Sequence, residues 1–301
     1  MPANQPPFTP SGLDTYAVMV LCAQDATSFF DQFKETDPGG NPSFPPPNPG
    51  AFAYLQDLTA WEPIGQLRAD DDIILKIDDC YFGVVMKCLE ASGPFKVGDV
   101  LVGVKGTSDL REWLDDAASV FEVHGAPNTP GDVANGFWKI YQTLTFANLA
   151  NTAKNDPVKS ICALLEGDAA LYVVGHSLGA ALATYLTYDL VDALGHQADR
   201  VMPYFFASPK TGTGPHVQNY LQKVPFYNLA NYQNDLVPKL PFEIEGFSAL
   251  LPGGPLHNVL TLRPNGQPYI PAFWDVPKNH SAVLYARILD PANPVAARLP
   301  I

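Results

Sequence analysis

Gly175-His176-Ser177-Leu178-Gly179 is a Gly-x-Ser-x-Gly pentapeptide, and its surroundings bear on what the serine can do. The apolar run Leu171-Tyr172-Val173-Val174 predicts a short buried strand that ends at the first glycine. Residues 180–194 predict a helix starting just after the second. A serine on such a strand-to-helix turn stands exposed above a sheet, near the positive end of the following helix. That is the setting for a nucleophile attacking an acyl carbonyl. The glycines at 175 and 179 remove side chains where strand and helix crowd together. An ordinary strand-to-helix turn is the competing reading.

A serine hydroxyl needs a base to take its proton, and the base needs a carboxylate to orient it. The sequence holds six histidines. His176 lies inside the pentapeptide, where it cannot readily turn onto Ser177, and reads as a packing residue. His124 and His196 flank glycines in expected loops, and His216 opens a helix. His257 and His280 remain, both downstream of the serine. For the carboxylate, Asp235 follows an expected strand and precedes Val237-Pro238. It should therefore sit on the edge of an α/β sheet where ligands and catalytic groups collect. Asp275 is its rival, only five residues before His280. Asp189 and Asp192 fall within the helix after the serine and read as a solvated face.

Positioning such groups requires a scaffold, and the pattern alternates. Residues 11–34 predict a helix with Leu13, Tyr16, Ala17, Val20 and Leu21 at helical spacing. Stacked prolines over 37–50 forbid helix and ladder alike and predict a surface wrap. Strands are expected at 73–77, 81–86, 100–104, 201–207 and 226–229, and helices at 132–149 and 157–165. Strands alternating with helices imply an α/β fold, with a largely parallel sheet covered on both faces. The length suits one domain over 1–301, with residues 1–70 as helix and wrap and 71–301 as the core.

Eighteen Lys plus Arg against 31 Asp plus Glu give a net charge of −13. That balance argues against nucleic acid and against anionic membranes, which need clustered cations. A neutral substrate or neutral lipid surface fits better. No apolar run reaches the roughly 18 residues of a transmembrane helix. The first residues lack the charge-then-apolar order of a secretion signal, so the chain is expected to be either intracellular or a mature secreted form. Cys22, Cys80, Cys88 and Cys162 lack metal-ligand spacing, so no metal or cofactor is expected. Buried free thiols are the first reading of these cysteines and one or two disulfides the second.

Several segments in chain order carry a family resemblance. Val173 to Ala183, around the pentapeptide, resembles the elbow of the class 3 lipases, the family of the filamentous-fungal triacylglycerol lipases. Leu101-Val102-Gly103-Val104-Lys105-Gly106-Thr107-Ser108, with Trp113-Leu114-Asp115-Asp116 after it, resembles that family's strand, oxyanion turn and lid helix. Asn135-Gly136-Phe137 keeps only the Gly-Phe of its His-x-Gly-Phe segment. Phe205 to Gly212 resembles its Gly-Ser-Pro-Arg-x-Gly strand end. Asn231 to Pro241 resembles its Asn-x-x-Asp-x-Val-Pro-x-Leu-Pro stretch, one residue longer, and His280 with Tyr285 its closing histidine and aromatic.

The resemblance covers roughly residues 70–290 and implies an α/β-hydrolase fold with a Ser177, Asp235, His280 triad. It selects His280 over His257. It implies an oxyanion hole from the backbone N–H groups of Leu178 and Thr107, the Thr107 hydroxyl adding a third donor. Lys105 departs from the family's usual Arg and lacks a planar fork of donors to hold that turn. A lid is implied over 108–116, where Leu110, Trp113 and Leu114 form one apolar helix stripe that could equally be core. Phe247-Ser248-Ala249-Leu250-Leu251-Pro252 is a second apolar patch, suited to lining an acyl pocket.

The implied activity is hydrolysis of carboxylic esters of neutral lipids through an acyl-enzyme. Phospholipase A1 and feruloyl-esterase activities belong to the same resemblance. A serine peptidase or a non-catalytic lipid-binding protein on this fold is the reading from another class.

Overall fold

The computed structural model describes residues 12–34, 39, 53–71, 76–107, 120–125, 131–149, 153–224, 226–242, 246–252 and 257–301. Runs rich in Val, Phe, Tyr and Leu become the strands of one sheet. In chain order these are β1 (Trp61–Asp71), β2 (Ile77–Cys88), β3 (Val100–Val104), β6 (Thr145–Asn148), β7 (Lys154–Asn155), β8 (Leu171–His176), β9 (Val201–Phe206), β11 (Tyr227–Tyr232) and β13 (His257–Leu262). Their spatial order among the described residues is β13-β11-β9-β8-β3-β2-β1-β6-β7. From β13 to β3 every pairing is parallel, and from β3 to β7 every pairing is antiparallel. β8 lies inside the parallel half, in register from Val100↔Leu171 to Val104↔Gly175 on one side and from Leu171↔Val201 to His176↔Phe206 on the other. Leu171 to Gly175 are all buried, as a strand covered on both faces requires.

Two helices cover the centre of this sheet. Helix α1 (Leu13–Asp31) packs on β3, β8 and β9, and it is buried on nearly all sides, from Tyr16 through Phe30. Helix α4 (Leu178–Leu194) touches the same three strands from the opposite face. Helices α2 (Asn135–Gln142), α3 (Pro157–Cys162) and α5 (Gly214–Lys223) pack around α4. Helix α6 (Val276–Asn279) leads into α7 (Ala282–Leu289), which lies against α1 and is flanked by α8 (Pro294–Arg298). A small second sheet orders β12 (Phe247–Ser248), β10 (Gly212–Thr213), β5 (Asp132–Ala134) and β4 (Val123–Gly125).

Three expectations are corrected. The helix expected over 132–149 is β5, then α2, then β6. Only Asn135–Gln142 has an apolar helical face, with Phe137, Ile140 and Tyr141 buried. Thr143 ends that helix, its hydroxyl donating to Ile140 O at 3.0 Å. Residues 145–148 then pair with β1, from Arg68↔Thr145 to Gly65↔Asn148, so tertiary pairing overrides local propensity. Secondly, the sheet begins at Trp61, before the expected core boundary at residue 71. β1 is disguised by Pro63, Gly65 and Arg68, whose buried guanidinium donates to Asp79 Oδ1 at 2.8 Å. Of the strand expected at 73–77, residues 73–75 lie outside the described residues, and Ile77 opens β2. Finally, all four cysteines are free thiols, which removes the disulfide reading.

Of the expected proline-rich wrap, only Gly39 is among the described residues; its carbonyl accepts the Tyr81 N–H at 2.8 Å. The whole expected lid, with Leu110, Trp113 and Leu114, lies outside them. Among the described residues no helix is long and apolar enough to cross a membrane.

Candidate active site

Ser177 stands between β8 and α4 at φ 59°, ψ −129°, a backbone conformation that costs a residue with a side chain about 1–3 kcal/mol. Packing holds it there. A Cβ at Gly175 would lie 2.3 Å from Gly179 O, and one at Gly179 would lie 2.4 Å from Val104 O. The turn therefore closes only because both positions lack side chains. The Ser177 N–H donates to Phe206 O at 3.0 Å, tying the turn to β9. Although Ser177 occupies the N-cap position of α4, its hydroxyl does not cap the helix. Ser177 Oγ is buried and has no hydrogen-bond partner.

The structure brings His280 and Asp235 together. Asp235, fully buried, sits on the turn after β11, where its N–H donates to Tyr232 O at 3.0 Å. Its Oδ1 accepts the Val237 N–H at 3.0 Å, which fixes the carboxylate plane. His280 lies between α6 and α7, and its Nδ1 is 2.8 Å from Asp235 Oδ2. That contact directs Nε2 away from the carboxylate. Nε2 is buried and without a hydrogen-bond partner, like Ser177 Oγ, so the two atoms do not bond directly in this structure. Such contacts between nucleophile and base are often loose without substrate.

Three groups around this pair were less visible in the sequence. Tyr285, on α7, donates its hydroxyl to Asp235 Oδ2 at 2.8 Å and accepts the Tyr232 N–H at 2.9 Å. Burial, and next to it the Asp235 charge, pushes the Tyr285 phenol well above its usual range, so it stays a donor. His176, expected only to pack, places its ring 4.6 Å from that of His280 and 5.8 Å from that of Tyr285. Burial, then the neighbouring His280, holds His176 well below the usual imidazole range, so it is neutral beside the site. Asn279 anchors the loop before His280, its Nδ2 donating to Ala272 O at 2.8 Å and Asp275 O at 2.9 Å.

The oxyanion candidates border the same turn. Leu178 opens α4, so its N–H belongs to the first helical turn, where amides lack intrahelical acceptors. Thr107 lies beyond β3, and its buried Oγ1 has no hydrogen-bond partner. Lys105 is buried with its ammonium 4.3 Å from the Phe30 ring centre and 4.8 Å from that of Phe82. Cation–π contacts thus hold the lysine that replaces the family's usual Arg. Burial lowers the Lys105 pKa.

The rival residues are otherwise engaged. His257 Nε2 is 2.9 Å from Val224 O, and its ring stacks on Tyr227 at 4.6 Å, on β13. Asp275 caps α6 through the Lys278 N–H. Asp189 accepts the Tyr141 hydroxyl, and Asp192 pairs with Lys223. Phe247 of the expected acyl-pocket patch packs on Phe121 at 6.0 Å, while Leu251 is exposed and its carbonyl accepts the Tyr227 hydroxyl.

A strained serine between a parallel strand and a helix, with a buried histidine–aspartate pair beyond the carboxyl end of β11, fits the α/β-hydrolase fold. More narrowly, residues 101–245 match the family model of the class 3 lipases. The chain is 29% identical over 157 residues to phospholipase A1-II 1 of Oryza sativa subsp. indica, a match covering 48% of this chain and 39% of that protein. It is 29% identical over 156 residues to the secreted mono- and diacylglycerol lipase A of Penicillium cyclopium, covering 51% and 46%. The chain thus spans less than half the length of either relative. In fold it is similar to the lipase of Rhizopus microsporus var. chinensis, at TM-score 0.56 and 17% identity over 89% of this chain and 83% of that one.

Proposed function

We propose that the chain hydrolyses carboxylic esters of neutral acylglycerols by acyl transfer through Ser177. The observation that carries this reading is the buried 2.8 Å contact of His280 Nδ1 with Asp235 Oδ2, beside an elbow serine whose hydroxyl is free. His280 Nε2 takes the proton of Ser177 Oγ as the oxygen attacks the ester carbonyl. Asp235 fixes the imidazole tautomer and stabilises the imidazolium. The N–H groups of Leu178 and Thr107 receive the developing oxyanion, each such donor worth about 2.7–4 kcal/mol of barrier. His280 then protonates the leaving alcohol, and a water activated by the same nitrogen releases the carboxylic acid. Residues 108–116, read as a lid, would cover the serine in water and leave it at a lipid surface.

Ser177→Ala should abolish turnover of p-nitrophenyl butyrate while leaving the unfolding midpoint near that of wild type. Ester hydrolysis retained by that variant would sink the assignment. Tributyrin assayed across its solubility limit tests the lid: a rate jump on droplet formation supports interfacial opening, and smooth saturation below the limit makes the chain an esterase. The phospholipase A1 relative favours a second substrate, the sn-1 ester of a phospholipid. Phosphatidylcholine vesicles assayed beside emulsified triolein separate the two.

A further inference from the structure

Helix α1 lies outside the segment that carries the family match, yet it meets the chain leading into Thr107 at three points. Thr27 Oγ1 accepts the Gly106 N–H at 3.0 Å, and its own hydroxyl donates to Ala23 O at 3.4 Å. One residue earlier, Phe30 of α1 and Phe82 of β2 flank the Lys105 ammonium. Before that, a Cβ at Gly103 would lie 3.0 Å from the Ala26 Cβ. The far side is closed as well. A Cβ at Gly106 would lie 2.8 Å from His176 O, and the Lys105 N–H donates to Phe82 O at 2.8 Å. Helix, elbow and β2 therefore enclose residues 103–106.

Helix stability does not account for Thr27. A β-branched threonine in a helix interior is less favourable than alanine, and a hydroxyl bonded back to the i−4 carbonyl slightly destabilises the turn it sits in. What the hydroxyl does that alanine cannot is hold the Gly106 N–H, and with it the plane of the Lys105–Gly106 peptide. That plane sets the direction in which the chain enters Thr107. A donor aimed at developing charge works only while its position is fixed, and a displacement of about 1 Å can cost about a hundredfold in rate.

We propose that Thr27 is a positioning residue for the oxyanion turn, holding the Thr107 donor in place through the Gly106 N–H. This rests on the hydrolase reading above. The role is exerted on the transition state, so it acts on kcat and not on ester binding.

The test compares full-length wild type, Thr27→Val, which keeps the shape, and Thr27→Ser, which keeps the hydroxyl. Each is measured for kcat and KM on p-nitrophenyl butyrate and for amide hydrogen exchange at Gly106. Thr27→Val should lose about ten- to a hundredfold in kcat with KM nearly unchanged, and its Gly106 amide should exchange faster. Thr27→Ser should restore both. Should Thr27→Val fail to fold, Thr27→Ala carries the same comparison. Unchanged kcat, unchanged Gly106 exchange, or a loss that serine does not rescue would each overturn the role. A wild-type chain that hydrolyses no ester and takes up no fluorophosphonate at Ser177 would overturn the hydrolase reading, and the positioning role with it.

Discussion

Asp235 serves two donors with one oxygen: Oδ2 receives both His280 Nδ1 and the Tyr285 hydroxyl, while Oδ1 is taken by a backbone amide. The tyrosine thus pins the same carboxylate oxygen that the imidazole uses. Tyr285→Phe removes that pin and also leaves the buried Tyr232 N–H without its acceptor, a loss of about 1–3 kcal/mol in stability. The expected result is a lower urea midpoint together with a kcat reduced severalfold, read by equilibrium denaturation and steady-state kinetics. His216 behaves differently. Both its ring nitrogens are buried without a partner, and burial depresses its pKa to about 4. The folded state then holds fewer protons than the unfolded chain between about pH 6.5 and pH 4. Stability contributed above that window is lost as pH falls through it, by roughly 3 kcal/mol at most. His216→Phe should flatten the acid limb of a stability–pH curve measured from pH 7 to 4. Asp25 runs the other way: burial raises it to about 6 against three backbone N–H groups, so its contribution falls as pH rises through that value.

At the scale of elements, the elbow and the end of β3 interlock through backbone. A methyl group on Gly179 would meet Val104 O at 2.4 Å and Lys105 O at 2.8 Å, and neither atom belongs to a flexible side chain. Gly179→Ala should therefore cost about 1–3 kcal/mol or more, and any relaxation must push the Val104–Lys105 backbone away from the elbow. Thermal unfolding and ester turnover should fall together in this variant. The strand and helix that make the elbow were legible because both carry strong patterns: β8 opens on the apolar run Leu171–Val174, and α4 begins two residues from the expected place. β1 was not legible, since its Arg68 is paid for by Asp79, a residue from the next strand. The run 132–149 misled because the pairing of Thr145–Asn148 with β1 is non-local. Among site residues, position in the chain could not decide between His257 and His280. The structure separates them, one stacked on Tyr227 at the amino end of β11 and the other on the carboxylate beyond its carboxyl end. Thr27 gave no signal at all, because its partner is an amide 79 residues away.

For the whole molecule, the charge of −13 sets which surfaces it can approach. Repulsion from an anionic surface reaches about one Debye length, roughly 10 Å at 0.1 M salt and 3 Å at 1 M. Hydrolysis at emulsified neutral acylglycerol should therefore change little with ionic strength, whereas any hydrolysis of anionic phospholipid vesicles should rise as salt is added. Initial rates on both substrates from about 0.02 to about 1 M sodium chloride would show the contrast. A salt-independent rate on anionic vesicles would mean that the negative charge lies away from the face that meets lipid.

The pairing of α1 with α7 has a consequence in time. Asp31 and Ala282 bound a stretch of about 250 residues, and α1 is buried on nearly every side. At roughly 5–20 residues per second, a ribosome needs on the order of 12–50 s to make that stretch. Through that interval the first helix exists without its last neighbour, and His280, which lies just before α7, has not been made. Helix α1 is thus made well before α7, the neighbour that completes its packing. Hydrolytic activity should appear only when synthesis has passed α7, and a nascent chain halted before it should expose α1 to chaperones.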